Sequence, residues 1–436
     1  MKIWTATLFV LALSMPCAAA TAQEPEEPDG GPVDAGSPDV YPAEEDIDES
    51  AQPAPPERTR EEIPAEEPAG VPEASPPPAK ERPAEKRPKR TLAEMVELGA
   101  RFHTGWDLTH LKTQTTELDS SGAERTVITE SFDNEFYVKR ARIKLEIEPT
   151  GWLLGVVQVE ATGVLDGTFL RDAYVHVAPA RQLGIQIGQF KKPFSALNLR
   201  SPSKRRLVNR GPGNDLIIED LMFGDRDLGL QLSGRLVKSV KLDYAIGVFN
   251  GSGPNIGDPG KSKDAVARVQ VRPHKRFEIG ANGSFKFFDG AELQEGKPEW
   301  AWAAGIDVRL KVKGLRFYAE GLVGQNHIAF LEASDDSSIS SADPPEFFGV
   351  TGIISYKHDF EVSWGFAIEP AFKGEFLEPT TVFVDDEVMA FTPGLNTYFG
   401  KYFRLMINGE FIRSGRNSRD DFPDQEVLMV LACLDL

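Results

Sequence analysis

The chain has 436 residues, 41% of them hydrophobic and only two of them cysteine, and its formal net charge is −19 at pH 7. So few cysteines exclude a fold that is cross-linked by several disulfides. No segment after the N-terminus has the roughly 20 uninterrupted apolar residues of a transmembrane helix. The acidity is concentrated in residues 23–78, which hold 17 Asp and Glu against two Arg, so the net charge says little about what the folded part binds.

The first 22 residues have the pattern of an export signal. Lys2 precedes a short apolar run over 8–13, and small residues follow, ending in an Ala-Thr-Ala sequence at 20–22. These features predict cleavage after Ala22 and a mature chain outside the cytoplasm. Cys17 admits a lipid anchor as an alternative, but the proline directly before it fits that cleavage site poorly.

Residues 23–90 are rich in proline and charged residues and contain almost no large apolar side chains. A segment of this composition cannot bury enough surface to offset its ordering entropy, so we predict a disordered periplasmic segment. Its charge reverses along the chain, because residues 79–90 carry six Lys and Arg against two Glu. The segment is expected to act as a solvated spacer or to contact the cell wall or another envelope protein.

From residue 99 to the end, short stretches alternate apolar and polar residues. In residues 227–233, Leu228, Leu230 and Leu232 occupy every second position and therefore share one face of an extended chain. The pattern predicts about 16 strands, at 99–110, 134–148, 152–162, 169–178, 182–190, 226–235, 239–249, 263–272, 276–288, 300–312, 314–329, 346–356, 360–372, 387–399, 401–413 and 424–436.

The connections between these strands are alternately long and short. The long ones are predicted at 111–133, 163–168, 191–225, 250–262, 289–299, 330–345, 373–386 and 414–423. Between them lie tight turns, one of them at residues 357–359. A soluble β-sandwich has no reason to sort its loops by length in this way, whereas an outer-membrane barrel has short periplasmic turns and long external loops. We therefore predict that residues 91–436 form an all-β, transmembrane, antiparallel up-and-down β-barrel in a Gram-negative-type outer membrane.

A barrel of about 16 strands is wide enough to enclose an aqueous channel. The longest connection, residues 191–225, begins with seven cations and no carboxylate: Lys191, Lys192, Arg200, Lys204, Arg205, Arg206 and Arg210. Folded into the channel, this loop would form a constriction that guides anions, with arginine forks suited to phosphate or carboxylate. Alternatively, it is an external loop bound to lipopolysaccharide phosphates, or a solvated face.

Charged residues also alternate with apolar ones on several strands. Three basic rows are expected to face the lumen, and they comprise Arg140, Arg142 and Lys144; Arg268 and Arg272; and Arg309 and Lys311. Carboxylates at Glu146, Glu148, Glu160, Glu320 and Glu410 share such inward positions. If they pair with the cations, selectivity for anions is weak.

Several motifs resemble the phosphate-selective porin O and P family, and the resemblance covers roughly residues 99–436. They are Leu-Arg-Asp-Ala-Tyr-Val at 170–175, Gly-Gln-Phe-Lys-Lys-Pro-Phe-Ser at 188–195, Asp-Arg-Asp-Leu-Gly-Leu-Gln-Leu-Ser-Gly at 225–234, Gly-Val-Phe-Asn-Gly at 247–251 and Arg-Ala-Arg at 140–142. The resemblance implies a homotrimeric 16-stranded porin whose third loop folds inward, with Lys191 and Lys192 at its basic start and Arg226 entering the next strand. Residues 209–212 depart from the family's acidic-arginine-serine phrase, and Leu436 stands where such barrels commonly end in an aromatic residue.

No catalytic or cofactor motif is evident. Gly260-Lys261-Ser262 lacks the first glycine of a P-loop, the six histidines show no paired metal spacing, and the acidic clusters near 335 and 420 lack fixed coordination geometry. We therefore expect a passive porin, with no cofactor, metal or nucleic-acid partner, for small anions such as phosphate. Two alternatives stay open: a structural barrel with little conductance whose N-terminal arm tethers it to the cell wall, and an exported barrel hydrolase.

Overall fold

The computed structural model describes residues 91, 95–118, 124–164, 169–257, 263–288, 299–332, 345–415 and 423–436. The predicted export signal and the predicted periplasmic segment at 23–90 lie outside these residues. The Gly-Lys-Ser motif at 260–262 and the acidic clusters near 335 and 420 lie outside them as well.

Sixteen strands form one antiparallel up-and-down sheet. They are β1 Val96–Leu118, β2 Glu124–Thr150, β3 Leu153–Glu160, β4 Leu170–Ala180, β5 Leu183–Lys191, β6 Arg226–Val237, β7 Leu242–Phe249, β8 Asp264–His274, β9 Phe277–Phe287, β10 Trp300–Val312, β11 Leu315–Gln325, β12 Glu346–Tyr356 with its continuation His358–Phe360, β13 Phe366–Glu378, β14 Val388–Phe399, β15 Phe403–Ser414 and β16 Asp424–Asp435. Strand β1 pairs with β16 from Arg101↔Asp435 to Lys112↔Asp424 and closes the sheet into a barrel. The predicted fold class and strand number are confirmed.

The alternation of side chains sets which face of each strand points inward. On β6, Leu228, Leu230 and Leu232 are 37–45% exposed on the outer surface, while Asp227 and Gln231, at the alternate positions, are buried inside. The same division of exposed apolar and buried polar residues recurs around the barrel. Because the side-chain period of a strand is two, one alternating sequence gives both an apolar outer face and a polar inner face.

The connections sort by length to the two ends of the barrel, which we call the long-loop end and the short-turn end. Helical segments lie in the connections at Ala161–Val164 (3-10), Ala196–Leu199 (α), Pro202–Lys204 (3-10), Pro212–Asn214 (α), Asp215–Asp220 (π) and His327–Glu332 (α). In the described part of the chain, no helix is both long enough and apolar enough to span a bilayer.

The predicted first long loop, 111–133, is wrong for most of its length. Strands β1 and β2 remain paired as far as Leu118↔Glu124, which makes them the longest hairpin of the barrel. The β-branched residues Val127, Ile128 and Thr129 favour extended backbone, and so pairing continues where the amphipathic alternation has faded.

The predicted tight turn at 357–359 is also wrong. Residues 358–360 continue β12 and pair with the start of β13, so the reversal lies at 361–365 instead. Gly365, with φ 71°, supplies the left-handed backbone that ends this turn. Because the reversal comes later, β13 begins at Phe366 rather than at 360, and the following connection is 379–387 rather than 373–386.

Candidate functional site: the interior of the barrel

The connection between β5 and β6, residues 192–225, crosses the inside of the barrel. Near its start, the Ser195 hydroxyl and the Ala196 N–H both donate to the Glu320 carboxylate on β11, at 2.8 and 2.7 Å. Further along, the Val208 N–H donates to Asn408 Oδ1 on β15 at 2.7 Å.

Two more anchors follow on the inner wall. The Gly213 N–H donates to Glu375 Oε1 on β13 at 2.6 Å, and Lys373 Nζ donates to the Arg210 carbonyl at 2.7 Å. Lys139 Nζ on β2 donates to Asn209 Oδ1 at 2.9 Å. Since β2, β11, β13 and β15 lie around the barrel, the loop is fastened across its interior.

The second half of this loop packs as an apolar plug against the long-loop half of the wall. Ile217, Ile218, Leu221 and Phe223 are fully buried. They join a cluster with wall residues that include Ala301, Ala303, Leu322, Phe347, Leu377, Val388, Ala390 and Ile412. The inner face is therefore apolar where the loop docks, which narrows the interior at this level.

The basic start of the loop is enclosed by partners. Lys191 Nζ donates to the Asn198 carbonyl at 2.9 Å, and Lys192 Nζ lies 2.6 Å from Asp264 Oδ2. Arg226 forms a bidentate ion pair with Asp172, with hydrogen bonds of 2.9 and 3.1 Å. All three cations are at most 3% exposed.

Arg205 and Arg210, from the same predicted set, are also buried. The Arg205 carbonyl accepts a hydrogen bond from Arg404 Nη1 at 2.6 Å, and Arg210 Nη2 donates to the Asn198 carbonyl at 3.2 Å. The first of these bonds ties the loop to β15, and the second joins two parts of the loop.

The predicted basic rows contain both buried cations and partly exposed ones. Arg142 pairs with Glu160, Arg268 lies 2.7 Å from Asp307, and both arginines are buried, as is Arg140 beside His103. Lys144 lies 2.6 Å from Glu146. Arg272 and Arg309 share Glu278 at 2.8 Å each but remain partly exposed.

At the short-turn end the barrel opens into a basic cavity of about 350 Å³, which we call the basic vestibule. Its cations are Arg200, Lys204, Arg206, Lys241, Arg272, Lys275, Arg276, Arg309, Lys311, Lys313, Arg316, Lys357 and Arg404. Among the residues that the structure describes, only two carboxylates, Glu278 and Glu369, are in its lining. Burial, with Arg200 nearby, lowers the pKa of Arg206 to about 10, so this side chain stays cationic at neutral pH.

A tyrosine sits in the wall of the vestibule between two of these cations. The guanidinium carbons of Arg200 and Arg309 lie 6.0 and 5.8 Å from the ring centre of Tyr318. The Tyr318 ring is buried, and among the described residues its hydroxyl has no hydrogen-bond partner. The two guanidinium groups therefore lie within cation–π distance of the buried ring.

A second cavity, of about 280 Å³, lies towards the long-loop end, between the loop and strands β1, β2, β15 and β16. We call it the acidic pocket, because its lining includes Asp107, Asp133, Glu135, Asp215 and Glu410, and no described lysine or arginine is part of it. The interior therefore changes sign from one end of the barrel to the other.

Sequence reasoning identified six of the vestibule cations, namely Arg200, Lys204, Arg206, Arg272, Arg309 and Lys311. It missed others at or beside the short turns, such as Lys241, Lys275 and Lys357. The available signal was that basic residues occur in consecutive predicted turns, which an up-and-down topology brings to a single end.

Comparisons with known proteins bear on the fold. No family model and no curated protein matches the chain. Among solved structures, OmpF of Salmonella typhi in complex with daunomycin matches with a TM-score of 0.50 and 11% identity, over 78% of this chain and 97% of that chain. An anion-selective porin from Comamonas acidovorans matches with 0.49 and 10%, over 78% and 99%. The outer-membrane channel DcaP of Acinetobacter baumannii matches with 0.49 and 11%, over 78% and 97%. At such identities the OmpF likeness supports the barrel fold alone.

Proposed function

We propose that this protein is an outer-membrane porin, a passive water-filled channel for small hydrophilic solutes. The observation that carries the proposal is a closed barrel of 16 strands with an apolar outer face and a charged interior. A barrel of this strand number is wide enough for an aqueous lumen, and lipid requires apolar residues only on its outer face.

The outer surface supports a membrane location. Besides the leucines of β6, Ile187 on β5 and Ile246 on β7 are 60% and 55% exposed. At the short-turn end, Trp364 stacks on Phe399 with a ring separation of 6.1 Å, and Phe366 and Phe403 lie next to them. Aromatic clusters at a barrel rim suit the headgroup region of a bilayer.

We assign the anion preference to the basic vestibule rather than to the start of the third loop. Thirteen cations against two carboxylates give this cavity a strong positive potential, whereas Lys191, Lys192 and Arg226 are enclosed by polar or acidic partners. Phosphate is a permeant that the guanidinium groups of the vestibule would suit.

The assembly and the surroundings of the barrel are also proposals. The family resemblance implies a homotrimer, and the external loops would meet lipopolysaccharide. The segment at 23–90 would extend into the periplasm, within reach of the cell wall. Cross-linking of the detergent-extracted protein tests the trimer, which is contradicted if only monomers are recovered.

Swelling of proteoliposomes tests the porin proposal. Vesicles that contain the folded protein should swell in isotonic solutions of small sugars at a rate that falls with solute size, because a passive pore sorts by radius. Vesicles with heat-unfolded protein serve as the control. Swelling no faster than the control would contradict the proposal, and turnover of the vesicle lipid would instead indicate a hydrolase.

The apolar plug favours one second candidate, a structural barrel with little conductance. Ile217, Ile218, Leu221 and Phe223 fill part of the long-loop half of the lumen. Such a protein would leave the vesicles unswollen while inserting normally in the bilayer.

A further inference from the structure

The basic vestibule opens at the end of the barrel from which the N-terminal segment departs. Strand β1 begins at Val96, which pairs with Ile147 close to the β2–β3 turn, and the chain enters the barrel at the short-turn end. Lys241, Lys275 and Lys313 lie in or beside the short turns that surround the vestibule mouth. The residues before β1 therefore start at the end of the barrel where this large positive cavity opens.

The acidic part of those residues carries the opposite charge. Residues 23–78 contain seventeen carboxylates and two arginines, a net charge of −15. The vestibule lining, with thirteen cations and two carboxylates, is net +11. The acids are concentrated in 23–78, and the densest run is Glu44-Glu45-Asp46-Ile47-Asp48-Glu49.

The chain between the acidic residues and the barrel is long enough. Residues 79–95 can span roughly 55 Å when extended, at about 3.3 Å per residue. A barrel of this strand number is roughly 30 Å across, given strands about 4.8 Å apart and tilted. A tether of this length keeps the segment at an effective concentration on the order of millimolar.

We propose that the basic vestibule is the docking surface of this chain's own acidic segment, residues 23–78. The docked carboxylates neutralise part of the positive charge of the vestibule. Recognition is by charge and not by a fixed sequence, so it weakens as salt screens it. The inference requires the vestibule charge and does not require that the barrel conduct.

Zero-length carbodiimide cross-linking of the full-length mature protein tests the contact directly. Among lysines of the barrel, carboxylates of 23–78 should couple mainly to Lys241, Lys275, Lys313 and Lys357. Lys112, near the long-loop end of β1, is the internal control and should be linked at least tenfold less. These links should fall severalfold in 1 M KCl, where the Debye length is about 3 Å. Links spread evenly over the barrel lysines, or links unaffected by salt, would overturn the proposal.

Protection of the vestibule lysines gives a second readout with matched variants. Changing all 17 carboxylates of 23–78 to amides should raise at least twofold the rate at which an acetylating reagent modifies Lys241, Lys275, Lys313 and Lys357. A shuffled segment of identical composition should leave this rate unchanged. Equal rates in the amide variant and the wild type would overturn the proposal. A barrel that conducts nothing would contradict the porin function, and the cross-links would still decide the docking.

Discussion

Among single residues, the interior contains two kinds of cation, which are buried structural partners of carboxylates and exposed cations of the vestibule. Lys192 and Arg226 are fully buried against Asp264 and Asp172, where they hold the start of the third loop and the entrance of β6. The vestibule cations outnumber the vestibule carboxylates, and all of them except Arg404 are at least partly exposed.

Replacing Arg226 by Gln should destabilise the folded barrel by about 3–5 kcal/mol, because Asp172 is left as a buried charge without its guanidinium partner. The double variant Arg226→Gln, Asp172→Asn should recover most of this loss. Equilibrium unfolding by urea from lipid vesicles measures both. Arg276→Gln, in the exposed vestibule rim, is the control and should change stability by no more than about 0.5 kcal/mol. An Arg226→Gln variant as stable as wild type would contradict the account.

Replacing Tyr318 by Phe should leave the folded barrel at least as stable as the wild type, because the buried hydroxyl has no hydrogen-bond partner among the described residues. Equilibrium unfolding by urea from lipid vesicles measures the difference. A loss of more than about 1 kcal/mol would indicate that the hydroxyl makes a hydrogen bond in the folded barrel.

The residue types that line the interior could be predicted from the sequence, but their partners could not. Alternation identified Arg142, Arg268 and Arg309 as inward-facing, and all three lie inside. It could not show that Arg142 meets Glu160 and Arg268 meets Asp307, because such pairing depends on register between strands. The enclosure of Lys191 by Asn198 likewise depends on the fold of a loop without periodicity.

At the scale of elements, the third loop is held by hydrogen bonds at its basic half and by apolar packing at its second half. Phe223 lies 6.2 Å from Phe194 and 6.0 Å from Phe347, measured between ring centres. This packing ties the loop to the inner face of β12.

Replacing Phe223 by Ala should loosen the docked loop, since emptying a fully buried aromatic site costs about 3–5 kcal/mol. Single-channel recordings should then show larger current fluctuations, and trypsin should cut more readily at Arg205 and Arg206. Phe136→Ala, on the outer face at 83% exposure, is the control and should leave both unchanged. Quiet currents and an uncut loop in the Phe223 variant would show that the apolar packing does not hold the loop.

The outer face of β6 offers a test of its contact with lipid. Leu230→Lys should cost about 2–4 kcal/mol, because a lysine near the membrane midplane is poorly solvated. Leu236→Lys, on the same face near the turn, should cost only about 0–1 kcal/mol. Urea unfolding from vesicles compares the two variants. Equal costs at both positions would mean that this face is not embedded in a bilayer.

Strands with strong alternation could be placed from the sequence to within a few residues, as β6, β10 and β12 show. Strand ends were predicted wrongly where the alternation was absent or where it did not mark the end of the strand. Strands β1 and β2 continue past residue 110 through β-branched residues, and β12 continues through 358–360 before the chain reverses at Gly365. Hydrogen bonding to a neighbouring strand decides these ends, and it leaves little trace in a single sequence.

At the scale of the whole molecule, the barrel combines a basic vestibule at one end with an acidic pocket at the other, separated by the third loop. This polarity arises from topology, because an up-and-down barrel gathers all its short turns on one side. Basic turns that are far apart in sequence therefore meet around a single opening. We infer that this opening, and not the buried start of the third loop, determines which ions pass through the channel.

The reversal potential of the reconstituted channel in a tenfold gradient of KCl tests that claim most directly. The wild-type channel should reverse at a potential of the sign that marks chloride preference, and neutralising Lys241, Lys275, Lys313 and Lys357 to Gln together should move the reversal potential by at least 10 mV towards zero or beyond. Neutralising Asp107, Asp133 and Glu135 in the acidic pocket is the matched control and should move it the other way or not at all. A wild-type channel that prefers potassium, or a vestibule variant with an unchanged reversal potential, would contradict the account.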